Sequence, residues 1–224
     1  MSKNLTEIVY IIDRSGSMGG LEEDTIGGFN SMMKKQKKTG EKALVTTVLF
    51  DDEYEVLHDR VPIDKVEEMT DKQYYVRGCT ALLDAVGKTI NRIEGRQKKD
   101  KKGEVPDKTI VVITTDGMEN ASEEYSYEKI QKMIKRQQKK CDWEFIFIGA
   151  NIDTYAEAKR FGINKDRALS YVHDKRGTLK LYEGVGNAVC FAMSAASSQI
   201  MKKNLSNNDW GKEIREDYEE RNNH

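Results

Sequence analysis

The sequence has few of the residues that cross-link small exported proteins. Only three cysteines occur among 224 residues, at Cys79, Cys141 and Cys190, and no two of them form a C-x-x-C pair. An odd number of scattered thiols argues against a disulfide framework and a zinc site, and is typical of reduced cysteines. We therefore expect a cytoplasmic location.

Long apolar runs and a net charge are also missing. No apolar stretch approaches the roughly 18 residues that span a bilayer, and residues 1–7 lack the apolar centre of a signal peptide. The 37 basic and 38 acidic residues leave a formal net charge of −1, so there is no overall attraction to nucleic acid. We expect neither a membrane nor a nucleic acid as a partner.

Histidines are scarce as well. His58, His173 and His224 lie outside every motif that we recognise, which argues against a zinc site or a histidine-bound iron site. Any metal chemistry should therefore depend on oxygen ligands.

Two apolar runs that stop on polar residues are present. Residues 8–12 are entirely apolar and lead to Asp13, and the run at 109–115 leads to Asp116. Neither run alternates with period two, which is typical of strands in a parallel sheet covered on both faces.

Strands alternate with amphipathic helices along the chain. We predict further strands at 43–50, 54–58, 143–150 and 168–172, and the short turn at 51–53 indicates an antiparallel hairpin. The predicted fold class is α/β: a doubly wound, mostly parallel six-stranded sheet with one antiparallel edge strand and helices on both faces. The predicted helices begin with acidic residues at the carboxyl end of the sheet and finish with lysines at the opposite end. This pattern would make one end of the domain acidic and the other basic.

Residues 1–203 should form this single domain, and 204–224 a polar tail. Trp210, Ile214 and Tyr218 recur every four residues in the tail. This spacing favours a short helix that docks on the domain over one reserved for a partner.

Oxygen-bearing side chains follow or precede the elements that should meet at one edge of the sheet. Asp13, Ser15 and Ser17 follow the first strand, Thr80 precedes the second helix, and Asp116 follows the fourth strand. Ligands of open α/β sheets bind at the carboxyl ends of the strands. Two carboxylates and three hydroxyls suit the hard-oxygen preference of Mg²⁺.

These residues lie in segments that resemble, in the same order, the three signature segments of von Willebrand factor type A domains. The segments are Asp13–Ser17, which reads D-x-S-x-S, Gly78–Ala85 and Thr114–Gly117. The resemblance covers roughly residues 6–198 and implies a complete metal-ion-dependent adhesion site (MIDAS) with Thr80 as its threonine and Asp116 as its distal carboxylate.

The resemblance also implies a function. In such sites the serine and threonine hydroxyls can bind Mg²⁺ directly while one or both aspartates act through water, and we expect Mn²⁺ or Ca²⁺ as possible substitutes. An aspartate or glutamate of a protein partner then completes the metal shell. The chain would be a metal-dependent interaction module and not an enzyme.

Several alternatives fit less well. A magnesium-dependent phosphohydrolase needs a second aspartate two residues after Asp13, where the chain has Ser15. A serine hydrolase built on Ser17 needs glycine in place of Ser15. The Gly184–Gly186 fragment of a nucleotide fingerprint has no strand before it, so we interpret it as close helix packing. A strand-end turn would explain one segment but not three.

The residues next to the five ligands should form a rim that could select a partner, with plain solvent exposure as the competing interpretation. They are Arg14, Met18, Arg77, Met118, Glu119 and Asn120.

Overall fold

The computed structural model describes residues 4–207 and 209–222, without the side chain of Asn207. The strands are β1 Thr6–Asp13, β2 Ala43–Phe50, β3 Tyr54–Pro62, β4 Lys108–Thr115, β5 Glu144–Gly149 and β6 Ala168–Ser170. The helices are α1 Glu22–Lys37, α2 Leu82–Gln97, α3 Tyr127–Lys140, α4 Thr154–Phe161, α5 Lys175–Ser194, α6 Ser198–Asn207 and α7 Lys212–Asn222.

The strands form one six-stranded sheet in the order β3-β2-β1-β4-β5-β6. All neighbouring pairs are parallel except β2 and β3, which form the antiparallel hairpin at the edge. This confirms the predicted fold class. Because β1 lies between β2 and β4, the chain reverses its direction of travel across the sheet at β1, which is where such folds bind ligands.

Both faces of the sheet are buried. Alternate residues of β1 point to opposite sides: Ile8, Tyr10 and Ile12 enter the core that α1 and α5 cover, whereas Val9 and Ile11 enter the core beneath α2 and α3. The near-continuous apolar runs follow from this two-sided burial.

Two strands end at least two residues away from their predicted C-terminal ends. β3 continues to Pro62 instead of stopping at His58, because an edge strand tolerates proline where no ladder donor is required. β6 ends at Ser170 instead of Val172. Polar and glycine caps bound α4: the side chain of Asp153 accepts a hydrogen bond from Ala156 N, and Gly162 ends the helix at φ 79°.

The C-terminal residues pack against the domain. Trp210 and Ile214 are 5% and 1% exposed and belong to the core on the α5 side. A Cβ added to Gly184 of α5 would lie 2.5 Å from Ile214 Cδ1, which agrees with the interpretation of Gly184 as a packing residue. α6 crosses the predicted boundary at residue 203. Residues 1–3, 208 and 223–224 of the predicted domain and tail, including His224, lie outside the described residues.

Candidate metal site

The five predicted ligand residues meet at the carboxyl end of the sheet. Asp13 is the last residue of β1, and Asp116 follows β4 directly. β1 and β4 are parallel neighbours with Ile12 opposite Thr114, so these two strand ends lie side by side. Thr80 lies two residues before α2.

A chain of hydroxyl contacts links four of the five residues. Ser15 Oγ lies 3.2 Å from Ser17 Oγ, and Thr80 Oγ1 donates to Ser15 Oγ at 3.0 Å. Ser17 Oγ donates to Asp116 Oδ1 at 2.6 Å. The structure therefore brings three neutral oxygens and one carboxylate into a single polar cluster.

The side chain of Asp13 is held by hydrogen bonds next to this cluster. Its Oδ1 accepts from Ser15 N at 2.7 Å, and its Oδ2 accepts from Thr115 Oγ1 at 2.6 Å. The hydroxyl of Tyr74 donates to the backbone oxygen of Asp13 at 2.8 Å. Both carboxylate oxygens of Asp13 are therefore held by protein donors, and Thr115 and Tyr74 are site residues to which sequence reasoning gave no such role.

The loop that carries Thr80 is held by two neighbouring segments. Gly16 N donates to Gly78 O at 3.1 Å. Gly78 has φ 64°, a left-handed conformation that favours glycine, and a Cβ there would lie 1.7 Å from Asp52 Oδ1. On the other side, Asn120 Oδ1 accepts from Thr80 N at 2.8 Å.

Glu119 has a related supporting function. Its Oε2 accepts from Leu83 N at 2.9 Å and its Oε1 from Ser122 N at 2.7 Å. The first bond satisfies one of the unpaired amides at the start of α2. Glu119 and Asn120, which we predicted as rim residues, thus hold the loop after β4 against the segment that carries Thr80.

The predicted rim is wrong for Arg14 and Met18. The side chain of Arg14 is fully buried, with Nε 2.8 Å from Asp51 Oδ2 and Nη1 2.6 Å from Glu55 Oε2. Met18 is 6% exposed. Two carboxylates next to and within the β2–β3 hairpin compensate the charge of Arg14, as a buried charge requires. Met118 does lie on the surface, at 72% exposure.

His173 lies at the site, although its position in the sequence is outside every motif that we recognise. Its Nε2 is 3.1 Å from Asp116 Oδ2, in the segment between β6 and α5. A lone histidine almost sixty positions from the nearest signature segment left no pattern from which this contact could have been predicted.

Burial of the two carboxyl groups has an electrostatic consequence. Burial raises the pKa of Asp13 to about 6, and hydrogen bonds from Thr115 and Ser15 oppose the rise. Burial also raises the pKa of Asp116 above its usual value. Two buried acids beside one another are stabilised as carboxylates by a nearby positive charge.

The donor set fits a hard divalent cation. Two carboxylates and three hydroxyls are oxygen ligands of the kind that Mg²⁺ prefers. Asp116 Oδ2 is buried without a hydrogen-bond partner in the described part of the chain. Within residues 4–207 and 209–222 there is no group of three or more histidine, cysteine, aspartate and glutamate side chains placed to hold a metal, so the hydroxyls are essential to any such site.

Solved structures of other proteins have a similar fold. Proximal thread matrix protein 1 from the mussel byssus, in a structure with a zinc-occupied MIDAS motif, is 17% identical with a TM-score of 0.55 and covers 83% of this chain and 46% of its own. A von Willebrand factor type A protein from Catenulispora acidiphila is 13% identical with a TM-score of 0.56, and the match covers 84% of this chain and 42% of that protein. The PilB minor pilin from Streptococcus sanguinis is 11% identical with a TM-score of 0.56, and the match covers 83% of this chain and 61% of the pilin.

These similarities show that the chain has the fold of von Willebrand factor type A domains. The chain spans less than half the length of the mussel and Catenulispora structures that it matches. Neither a protein-family model nor a curated protein matches the sequence. None of the helices in the described ranges combines the length and the apolar character needed to cross a membrane.

Proposed function

We propose that the chain is a divalent-metal-dependent protein interaction module in which Asp13, Ser15, Ser17, Thr80 and Asp116 hold Mg²⁺, with Mn²⁺ or Ca²⁺ as substitutes. The observation that carries the proposal is the linked hydroxyl cluster between two buried carboxyl groups. The zinc-occupied MIDAS motif of the mussel protein supports a divalent cation at this position of the fold.

Each group would contribute differently. The hydroxyls of Ser15, Ser17 and Thr80 are neutral ligands, so they leave most of the positive charge of a bound cation uncompensated. The carboxylate of Asp13 accepts hydrogen bonds from Thr115 Oγ1 and Ser15 N, which fixes its negative charge next to Ser15. A bound cation supplies an electrophilic position to which a carboxylate of a partner protein can bind.

The surface beside the cluster suits such a partner. Met118 is 72% exposed and follows Gly117, which lies against the hydroxyls of Ser17 and Thr80. We propose a protein segment that presents an aspartate or glutamate, with an apolar neighbour against Met118.

Metal titration is the first test. Isothermal titration of the purified chain with MgCl₂ and MnCl₂ should give saturable binding, which Thr80→Ala abolishes or weakens by at least tenfold. Thr80→Ser is the matched control because it keeps the hydroxyl. Unchanged binding by Thr80→Ala would contradict the assignment of the ligands.

Partner capture is the second test. The wild-type chain in Mg²⁺ should retain proteins that are released by chelator and are absent from an Asp116→Ala column. Partners that are retained equally well after complete removal of divalent metal would overturn the proposal.

We propose further that the chain does not catalyse phosphate hydrolysis. A general acid is missing at Ser15, where the competing mechanism needs a carboxyl group. A phosphatase assay with Mg²⁺ should show no turnover above that of Asp13→Asn, and turnover lost in that variant would support the enzyme instead.

A cytoplasmic location is also proposed, because Cys79, Cys141 and Cys190 are free thiols. Cell fractionation with a tagged full-length chain tests this location, and recovery from the medium or an envelope fraction would contradict it.

A further inference from the structure

The contact between His173 and Asp116 has unusual features. Nε2 and Oδ2 are 3.1 Å apart, both atoms are buried, and neither has a hydrogen-bond partner among the residues that the structure describes. The distance alone would permit a hydrogen bond, so the orientation of the imidazole relative to Oδ2 prevents it. The other oxygen of Asp116 is occupied by Ser17.

Two buried polar atoms at this separation without a mutual hydrogen bond match the arrangement of two ligands of one metal ion. Nitrogen and oxygen ligands lie about 2.1 Å from a small divalent cation. Two such ligands at a right angle are therefore about 3.0 Å apart. The observed 3.1 Å agrees with this separation.

The backbone on both sides of His173 is firmly held. Tyr171 N donates to Gly149 O at 3.0 Å, and Tyr171 is only 3% exposed. Asp174 caps α5 by accepting from Gly177 N at 2.8 Å. His173 therefore reaches Asp116 from a rigid segment, as a metal ligand requires.

We propose that His173 Nε2 and Asp116 Oδ2 bind the same divalent cation. This inference rests on the proposed metal-dependent function and specifies which metals the site takes. Imidazole nitrogen favours first-row transition metals, whereas Mg²⁺ and Ca²⁺ favour an all-oxygen shell. The chain should therefore bind Mn²⁺ and Zn²⁺ more strongly than a site with hydroxyl and carboxylate ligands alone.

Pulsed electron paramagnetic resonance of the Mn²⁺-loaded full chain tests the proposal directly, because a directly bound imidazole nitrogen produces a characteristic modulation. The wild type should show nitrogen coupling, and His173→Gln should lose it. His58→Gln is the matched control, since His58 lies on β3 and bonds Thr47, away from the candidate ligands.

Metal affinities give an independent readout. Because imidazole nitrogen favours first-row transition metals over Mg²⁺, His173→Gln should weaken Zn²⁺ and Mn²⁺ binding by at least about tenfold and change Mg²⁺ affinity by less than about threefold. The circular dichroism and unfolding midpoint of the metal-free variant should match those of the wild type.

The outcomes separate the two proposals. Bound Mn²⁺ without nitrogen coupling would overturn the role of His173 as a ligand and leave it a neighbour that orients Asp116, while the proposed function stands. No Mn²⁺ or Mg²⁺ binding at all would overturn both proposals.

Discussion

Arg14 carries its charge into the protein interior between two residues of the candidate metal site. The carboxylates of Asp51 and Glu55, which contact Nε and Nη1, compensate that charge. Arg77 Nε, a second cationic group, also contacts Asp51 Oδ2 at 2.8 Å. Asp51 is shared by both arginines and is itself fully buried. Removing it would leave Arg14 without its only fully buried partner among the described residues.

We predict that Asp51→Ala lowers the free energy of unfolding by about 3–5 kcal/mol, the usual cost of stranding a buried charge. Urea unfolding followed by circular dichroism measures the change. Glu53→Gln removes the more exposed partner of Arg77 and should cost less than about 1 kcal/mol. Equal losses in the two variants would show that burial of Arg14 does not depend on Asp51.

His58 is a second buried polar residue, in the antiparallel edge strand. Its Nδ1 lies 3.0 Å from Thr47 Oγ1, and its ring stacks on Phe29 at 6.5 Å between centroids. Burial lowers the pKa of His58 below its ordinary value of about 6.5.

The lowered pKa predicts a pH dependence of stability. Below about pH 6.5 the unfolded chain takes up the His58 proton before the folded chain does, so this contribution to stability is lost as the pH falls, by at most about 1.4 kcal/mol per pH unit. Urea unfolding of the wild type and of His58→Gln at pH 7.5 and 5.5 isolates the effect. The wild type should lose more stability than the variant, and equal losses would contradict the prediction.

Among the elements, β1 and β4 could be predicted from the sequence and the β3 end could not. An uninterrupted apolar run that ends on aspartate indicates a strand buried on both faces, and this signal lies within a few consecutive residues. The extension of β3 to Pro62 depends on its pairing with Leu44 of β2, a contact that no short segment encodes.

The candidate site shows the same division. Asp13, Ser15, Ser17, Thr80 and Asp116 stand in recognisable segments, so their convergence could be predicted. The position of His173, and the burial of Arg14 by partners 37 and 41 positions away, depend on tertiary packing.

Close packing of α5 and α7 gives a prediction at the level of elements. Ile214 is 1% exposed and fills the space that a Gly184 side chain would occupy. Ile214→Ala should therefore cost about 2–5 kcal/mol in unfolding free energy. The exposed Glu216→Ala on the same helix should stay within about 0.5 kcal/mol.

A double-mutant cycle tests whether the contact between Gly184 and Ile214 is responsible for this loss of stability. Gly184→Ala alone should destabilise by crowding Ile214, and the cost should fall when Ile214 is also alanine. Additive losses would mean that α7 does not dock against Gly184 in solution.

At the scale of the whole molecule, the candidate site joins segments that are far apart in the chain. Ser15 and Thr80 are 65 positions apart, and Ser17 and Asp116 are 99 apart. An unfolded chain cannot hold these oxygens together, so a cation that binds them binds only the folded domain.

Metal should therefore stabilise the whole domain. At a free Mg²⁺ concentration of about 100 times the dissociation constant, the free energy of unfolding should rise by about 2.7 kcal/mol. Thermal unfolding with Mg²⁺ and with chelator measures the rise. Thr80→Ala should show a smaller rise in unfolding temperature with Mg²⁺ than the wild type, and a response equal to that of the wild type would contradict the site.

The separation of the site segments along the chain also bears on the order of events in folding. Ser17 meets Asp116 only after β4 has paired with β1, so the complete set of ligands forms late, and we predict that the cation binds after the transition state of folding. Stabilisation that is absent from the transition state slows unfolding and leaves the refolding rate unchanged. Metal should therefore slow unfolding without changing the refolding rate, and chelator should restore the unfolding rate of the metal-free domain once the cation has left.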